Sequence, residues 1–358
     1  MIREPGVAVT IKDVARLAGV SASSVCRALA DPDRVRPETR DRVQTAARQL
    51  GYHPNRVARS LITGRTANIG VVLPDLGNPF FPTVVKAIQT QARRGDYAVL
   101  LTDTDEDPAV EVPAIRALAM QVDGFLLCSP RAADDELRAV AEKPMVVLNR
   151  RISPFPSVTA DNSGGMRQAV GHLHALGHRT ISYVAGPRTS WSNRDRLRGL
   201  RAATSALGMT LIEIGNVAPT VAGGAAAADL VAAAPVTAVL AYNDLVALGL
   251  VQRFQARGIA VPGQLSVVGF DDILVAALVG PPLTTVAIGK EQIGRVGVDL
   301  LLALMAAPGT AGLARAGSER AGSERAGSER AGSGQAGRAR RVVPTQLIVR
   351  GSTGPVAR

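Results

Sequence analysis

Two groups of residues in this 358-residue chain have types and spacings from which chemistry can be built. The first lies in SASSVCRALA, which reads as a short helix. At about 3.6 residues per turn, Val25 and Leu29 turn one way while Ala22, Ser23, Cys26, Arg27 and Ala30 share the other. Ala22 and Ser23 are too small to recognise much alone, but an arginine beside them can grip guanine O6 and N7 together. The second group is spread along the chain. Phe80 and Phe81 follow the run IGVVLP, Arg196 lies beyond GPRTSW, Asn243 and Asp244 end TAVLAY, and Asp271 ends LSVVGF. An Arg, an Asn and an Asp can bracket the hydroxyls of a sugar or a similar polar ring, while aromatic faces cover its apolar side. Arg196 and Asp271 would equally make a buried structural pair, and the two phenylalanines plain core. Asp244 is expected to cap the helix after AYND, leaving Asn243 to face a ligand.

Other signals lead away from catalysis. His172, His174 and His178 in HLHALGH include an i, i+4 pair, yet no carboxylate or thiol nearby completes a metal site. These histidines read as a helix end and its turn. There is no P-loop, no GxSxG elbow and no paired carboxylates at suggestive positions. Cys26 and Cys128 are far apart and lack CxxC spacing, which excludes a disulfide framework and a structural zinc site. The expectation is a non-enzyme with no cofactor and no metal.

The elements that must position these residues are legible in turn. Thr10 and Asp13 have the spacing of a capping box, and Val14, Leu17 and Ala18 give a first helix its apolar stripe up to Gly19. Ser21 caps the second helix. Pro37 opens a third, with Val43, Ala46, Ala47 and Leu50 on one face and Gly51 as its stop. Pro54 and Asn55 then start a short segment that Gly64 ends, with Val57, Ala58 and Leu61 on one side. So short a helix is marginal alone and is expected to form only when docked. Up to Thr66, basic residues outnumber acidic ones two to one, and the whole chain carries a formal charge of +11, both suited to a polyanionic partner.

From Asn68 onward, NIGVVLP, YAVLLT, GFLLCS, MVVLN, TISYVAG, TAVLAY and LSVVGF alternate with helical stretches, an α/β pattern with parallel sheets. There are enough units for two doubly wound subdomains, with a ligand cleft at the carboxyl ends of the strands. Residues 316–330 repeat AGSER three times, and the surrounding stretch of about 310–340 reads as a disordered insertion before the last strand, TQLIVR. The N-terminus lacks a signal-peptide apolar region and no segment is long and apolar enough to span a bilayer, so a soluble cytoplasmic protein with no membrane partner is expected.

TIKDVARLAGVSASSVCRAL, PETRDRV, GYHPNRVARSL and IGVVLPDLGNPFF, in that order, resemble the LacI family of bacterial transcription regulators. The resemblance runs nearly to the C-terminus. It implies a helix-turn-helix headpiece at 1–53, a hinge helix and linker at 54–66, and an effector-binding and dimerisation core at 67–358, similar to a periplasmic sugar-binding protein. The second helix would then enter the DNA major groove, with Ala22, Ser23 and Arg27 reading bases, and Leu61 of the hinge would wedge into the minor groove. Thr10, Ser21, Arg36, Thr39, Tyr52, Asn55 and Ala58 would complete the DNA contacts. Cys26 departs from the serine common at its position, and a thiol is a poor donor to phosphate. In the core the chain would cross between subdomains near Asp161, near Thr285 and once more before the end. Asn149, where some members carry aspartate, would join Phe80, Phe81, Arg196, Asn243 and Asp271 around the effector, while APTVAGG lacks the aromatic that often stacks on it. The implied function is a homodimeric DNA-binding regulator, a repressor on a pseudo-palindromic operator, answering to a sugar or sugar derivative. A purine-responsive regulator, or a small-molecule-binding module on the same fold, is the alternative. No leucine heptad follows RGSTGP, so a dimer is expected rather than a coiled-coil tetramer.

Overall fold

The structure, a computed structural model, describes residues 9–30, 35–52, 65–307 and 339–356. The chain divides into two compact units, residues 1–67 and 68–358. In the first, helices α1 (Ile11–Ala18), α2 (Ala22–Ala30) and α3 (Pro37–Leu50) pack pairwise around Val14, Ala15, Ala18, Val25, Ala28, Val43, Ala46 and Ala47. The Thr10 amide and hydroxyl both donate to the Asp13 carboxylate, at 3.0 and 2.8 Å, and so fix the start of α1. Gly19 and Gly51 end α1 and α3 at φ of 64° and 63°, a left-handed turn that side chains resist. Leu17, expected in the apolar stripe, is 51% exposed. Advancing about 100° per residue, Val14, Ala15 and Ala18 fill one arc and Leu17 falls outside it.

The second unit holds two six-stranded sheets. The first gathers β1 (Asn68–Leu73), β2 (Ala98–Asp103), β3 (Gly124–Cys128), β4 (Met145–Leu148) and β5 (Ser157–Ala160), with helices α4 (Phe80–Arg94), α5 (Pro108–Leu118) and α6 (Asp134–Ala139) between them. The second gathers β6 (Thr180–Ala185), β7 (Thr210–Asn216), β8 (Ala238–Ala241), β9 (Ser266–Asp271) and β10 (Thr284–Ile288), with α7 (Asn162–Ala175), α8 (Trp191–Ala206), α9 (Val221–Ala233) and α10 (Asp244–Ala256). Helix α11 (Lys290–Ala306) returns to pack on α4, and β11 (Arg340–Val343) and β12 (Thr345–Ile348) complete one sheet each. The strand orders are β11-β5-β4-β3-β1-β2 and β12-β10-β9-β8-β6-β7, parallel except for β12 against β10. The central runs are continuously buried, as parallel strands covered by helices on both faces require, while the edge strands are partly exposed.

Three crossovers join the subdomains: at Asp161 after β5, at Gly289 after β10, and at Pro344 between β11 and β12. The second therefore lies beyond Thr285, which is itself a buried residue of β10. The Asp161 amide donates to the Val343 carbonyl at 2.9 Å, and the Thr345 hydroxyl to the Asp161 carbonyl at 3.0 Å, so the first and third crossovers are bonded together. Helices α9 and α10 approach backbone to backbone: a Cβ on Gly224 would lie 2.0 Å from the Val246 carbonyl oxygen, and one on Gly249 2.0 Å from that of Val221.

Candidate functional site

On the first unit, α2 presents Ser23 and Arg27 to solvent, while Val25 and Ala28 are buried beneath. Ala22 and Cys26 are half-buried beside them. The Ser21 hydroxyl accepts from the Ser24 amide at 3.1 Å and shares hydrogen bonds with the Ser23 and Ser24 hydroxyls, so it fixes the start of this helix. Arg36 is exposed just ahead of α3 and Thr39 half-buried in its first turn. Tyr52 packs against the small core, where burial first and the nearby Cys26 second push its hydroxyl above the usual tyrosine range. Asn55, Ala58 and Leu61, with the rest of the hinge reading, lie outside the described residues, as does 308–338, which contains the AGSER repeat.

In the second unit the strand ends of both subdomains converge on one narrow, nearly closed cleft lined by Phe80, Phe81, Asn149, Arg196, Asn243 and Asp271. All six residues expected around an effector are thus brought together. Phe80 and Phe81 open α4 with their rings edge to face at 5.1 Å, and at 5% and 4% exposure they serve the core and the cleft wall at once. Arg196 and Asp271 are both a buried ion pair and part of the lining: Arg196 Nη2 donates to Asp271 Oδ1 at 2.9 Å, Nε to Asn162 Oδ1 at 3.1 Å, and Nη1 to the Tyr242 carbonyl. The guanidinium lies 3.7 Å from the Phe270 ring centre, a stacking arginine suits well. Burial pushes the Asp271 carboxyl up, against the pull of Arg196 and Lys290.

The Asp271 corner is tied to the crossovers. Lys290, first residue of α11, donates from Nζ to the carbonyls of Asp271 and Asp272, and Asn162, bonded to Arg196, opens α7 directly after Asp161. Arg350 Nη2 donates to Asp272 Oδ1 at 2.6 Å.

The cap role expected of Asp244 falls to Asn243, which lines the cleft as well. Asn243 is the cap of α10, its Oδ1 accepting from the Val246 amide at 2.9 Å and its Nδ2 donating to the Pro219 carbonyl at 3.1 Å. Asp244, fully buried, instead accepts from the Ile273 amide at 2.8 Å and from the Thr285 hydroxyl. Burial, with Asp271 nearby, pushes its carboxyl up to about 8. A carboxylate this deep serves the loop after β9 better than a helix start.

Sequence reasoning missed Asn78, Glu106, Ser129, Arg131, Ser192 and Tyr242, all of which line the cleft. Asn78 and Arg131 stand in loops directly after strand runs, the one available signal; Glu106 and Ser192 carried none. Glu106, Ser129, Asn149 and Asp271 hold φ values of 59°, 51°, 57° and 109°, a region that non-glycine residues seldom occupy and that clusters at functional sites. Two contacts bridge the subdomains beside the cleft: the Ser192 hydroxyl donates to the Asn149 carbonyl at 3.1 Å, and Arg151 lies 5.6 Å from the Trp191 ring centre.

Among the described residues no group of three or more His, Cys, Asp or Glu could hold a metal ion, and no helix is long and apolar enough to cross a membrane. His178 is bonded on both ring nitrogens, to the Thr237 hydroxyl at 2.7 Å and the Gly354 carbonyl at 3.1 Å. Burial pushes the Cys128 thiol up to about 12, which leaves it protonated and unreactive.

Comparison with known proteins finds one family model in each of the two units. Residues 10–55 match the family described as bacterial regulatory proteins, lacI family, and residues 170–317 match a periplasmic binding protein-like domain. The chain is 34% identical over 304 residues to the HTH-type transcriptional repressor CytR of Escherichia coli strain K12, covering 82% of this chain and 89% of CytR. It is 37% identical over 311 residues to the HTH-type transcriptional regulator GalS of Salmonella typhimurium, covering 84% and 91%. In structure it is similar to a lac repressor dimer bound to operator and the anti-inducer ONPF, with a TM-score of 0.81 and 28% identity over 97% of this chain and 100% of that one. A complex of the transcriptional regulator CelR with cellobiose has a TM-score of 0.66 and 30% identity over 96% and 99%.

Proposed function

The chain belongs to the lacI family of bacterial regulatory proteins, and from that premise we propose that it is a homodimeric repressor whose affinity for a pseudo-palindromic operator is set by a small molecule in the cleft. The observation that carries this reading is the Arg196–Asp271 pair, which lines the cleft and is bonded onward to residues at two crossovers. A ligand that engages Asp271 is thereby linked to the segments about which the subdomains reorient. On the DNA side, Arg27 would read a base from the exposed face of α2, with Ala22 and Ser23 alongside and Thr10, Ser21, Arg36, Thr39 and Tyr52 near the backbone. Asn55, Ala58 and Leu61 would act in the hinge, Leu61 as a minor-groove wedge. Leu274 and Leu278, 78% and 73% exposed at the start and just past the end of the short helix after β9, support self-association of the core.

The effector is read as a sugar or sugar derivative, since the lining combines carboxylate, amide and hydroxyl groups with two phenyl rings. The relatives named above are transcription regulators rather than enzymes, and the cleft holds no nucleophile with an adjacent base. Selection of bound sites from random duplex DNA, followed by a thermal-shift screen of sugars and nucleosides, tests both halves. The expected result is a two-fold-symmetric consensus together with a ligand whose effect vanishes in Arg196→Ala. An asymmetric or absent consensus would remove the operator reading.

A further inference from the structure

We propose that Glu106 and Arg131 form a second recognition element of the cleft, a preassembled ion pair that admits uncharged polyhydroxylated ligands and excludes phosphorylated or carboxylated ones. The proposal rests on the reading of the cleft as the ligand site and narrows its ligand class. Arg131 and Arg196 are the two cationic side chains of the lining among the described residues, and each is already matched by a carboxylate. Arg131 Nε and Nη2 donate to the two oxygens of Glu106 at 2.7 and 2.9 Å, and Nη1 donates to the Ser129 carbonyl at 3.0 Å. A bidentate pair of this kind fixes both partners in direction as well as distance.

The order of exposure decides what a ligand meets. The Arg131 side chain is 4% exposed and that of Glu106 23%; Arg196 is 5% exposed and Asp271 8%. Glu106 is the more accessible partner of its pair, with Arg131 behind it, whereas Arg196 and Asp271 are buried alike. Each oxygen of an ionised carboxylate has about two lone-pair sites. Glu106 therefore retains acceptor positions beyond those engaged by Arg131, as Asp271 does beyond the one that meets Arg196. Such a surface accepts hydrogen bonds from hydroxyls and repels a second anion.

The backbone holds Glu106 in place at some conformational cost. Asp105 and Glu106 both adopt left-handed φ, 51° and 59°, and the Glu106 amide donates to the Pro74 carbonyl at 2.6 Å. On the other side, the buried Glu111 carboxylate accepts from the amides of Arg131, at 2.9 Å, and Ala132. Both loops are thus fixed by groups whose placement serves the pair.

The experiment compares wild type with Glu106→Gln, both checked for fold by circular dichroism, with the thermal midpoint as the readout. Inorganic phosphate should leave wild type unchanged and raise the midpoint of Glu106→Gln, because the Arg131 guanidinium has lost its bidentate partner. Equal responses of the two proteins, or a folded Glu106→Gln that ignores phosphate, would overturn the pair as an anion filter. In wild type alone, glucose, ribose and adenosine are each set against their phosphate monoesters. A shift with an uncharged compound and none with its phosphate is expected, and Glu106→Gln should weaken the uncharged ligand roughly tenfold or more through loss of a charge-assisted hydrogen bond. A phosphate monoester that acts more strongly than its parent would overturn the proposal while leaving the cleft a ligand site. Silence from every compound would overturn the ligand class and the ligand-site reading together, whatever phosphate does.

Discussion

Replacing Arg196 by methionine and Asp271 by leucine, singly and together, separates the structural from the recognition role of their ion pair. Both side chains are under 10% exposed, and the guanidinium also donates to Asn162 and to the Tyr242 carbonyl. Arg196→Met leaves the Asp271 carboxylate buried with only Lys290 nearby on its backbone carbonyl. Removing one partner of a buried pair costs about 3–5 kcal/mol, whereas replacing both by apolar groups of similar volume is often close to neutral. Each single variant should therefore lose about 3–5 kcal/mol, and the double variant should lose no more than either single variant, well short of their sum. At about 2–4 °C per kcal/mol for a domain of 150–250 residues, the single losses correspond to roughly 6–20 °C in thermal midpoint. Urea unfolding followed by the fluorescence of Trp191, the one tryptophan in the chain and adjacent to the cleft, measures all four proteins. Single losses below about 1 kcal/mol, or additivity within about 0.5 kcal/mol, would refute the coupling inferred from the geometry. Ligand at 100 times its dissociation constant adds about 2.7 kcal/mol to a competent protein. A folded Arg196→Met variant that keeps that increment would show that Arg196 plays no part in binding.

Arg27→Ala should weaken operator binding by about 1–3 kcal/mol and relax preference at one base pair, with random DNA less affected; site selection with both proteins checks this. Asp244 is raised in the folded state to about 8, above its unfolded value, so its contribution to stability is present at low pH and lost as pH rises through 8. Relative to Asp244→Asn, wild type should lose up to about 1.4 kcal/mol per pH unit between pH 4 and 8 in urea titrations, and a parallel pair of profiles would contradict the assignment. Gly249→Ala sets a methyl group 2.0 Å from the Val221 carbonyl oxygen and should cost about 3 kcal/mol or more, measured by the urea midpoint; a neutral result would mean that α9 and α10 separate easily.

The fold was legible wherever a strand was a continuous apolar run. All seven quoted runs form strands; in six of them burial on both faces leaves no polar alternation to obscure the run, while Ala98–Asp103, at a sheet edge, is only partly buried. Ser157–Ala160, Thr210–Asn216, Thr284–Ile288 and Arg340–Val343 escaped notice, because polar or charged residues interrupt each of them and neighbouring chain rather than composition makes the strand. Leu17 shows the limit of spacing alone: three apolar positions on one helix do not say which arc its neighbours will cover. In the cleft, residues at the ends of apolar strands were found by position, and the six expected ones converge. Glu106 was not, since its part depends on Arg131 from another loop and on a left-handed backbone that no local pattern announces. Asn243 rather than Asp244 caps its helix because both residue types cap helices well, and only the burial around Thr285 decides between them.

The central claim is that occupancy of the cleft and affinity for operator are linked. Fluorescence anisotropy on a selected operator duplex, titrated with and without the ligand that raises the thermal midpoint, tests it directly, together with the reverse titration of ligand with and without operator. A coupled regulator should show the two dissociation constants changing by the same factor, of about 5–150-fold, with the change absent in Arg196→Met. An operator affinity unaltered at saturating ligand would contradict the claim.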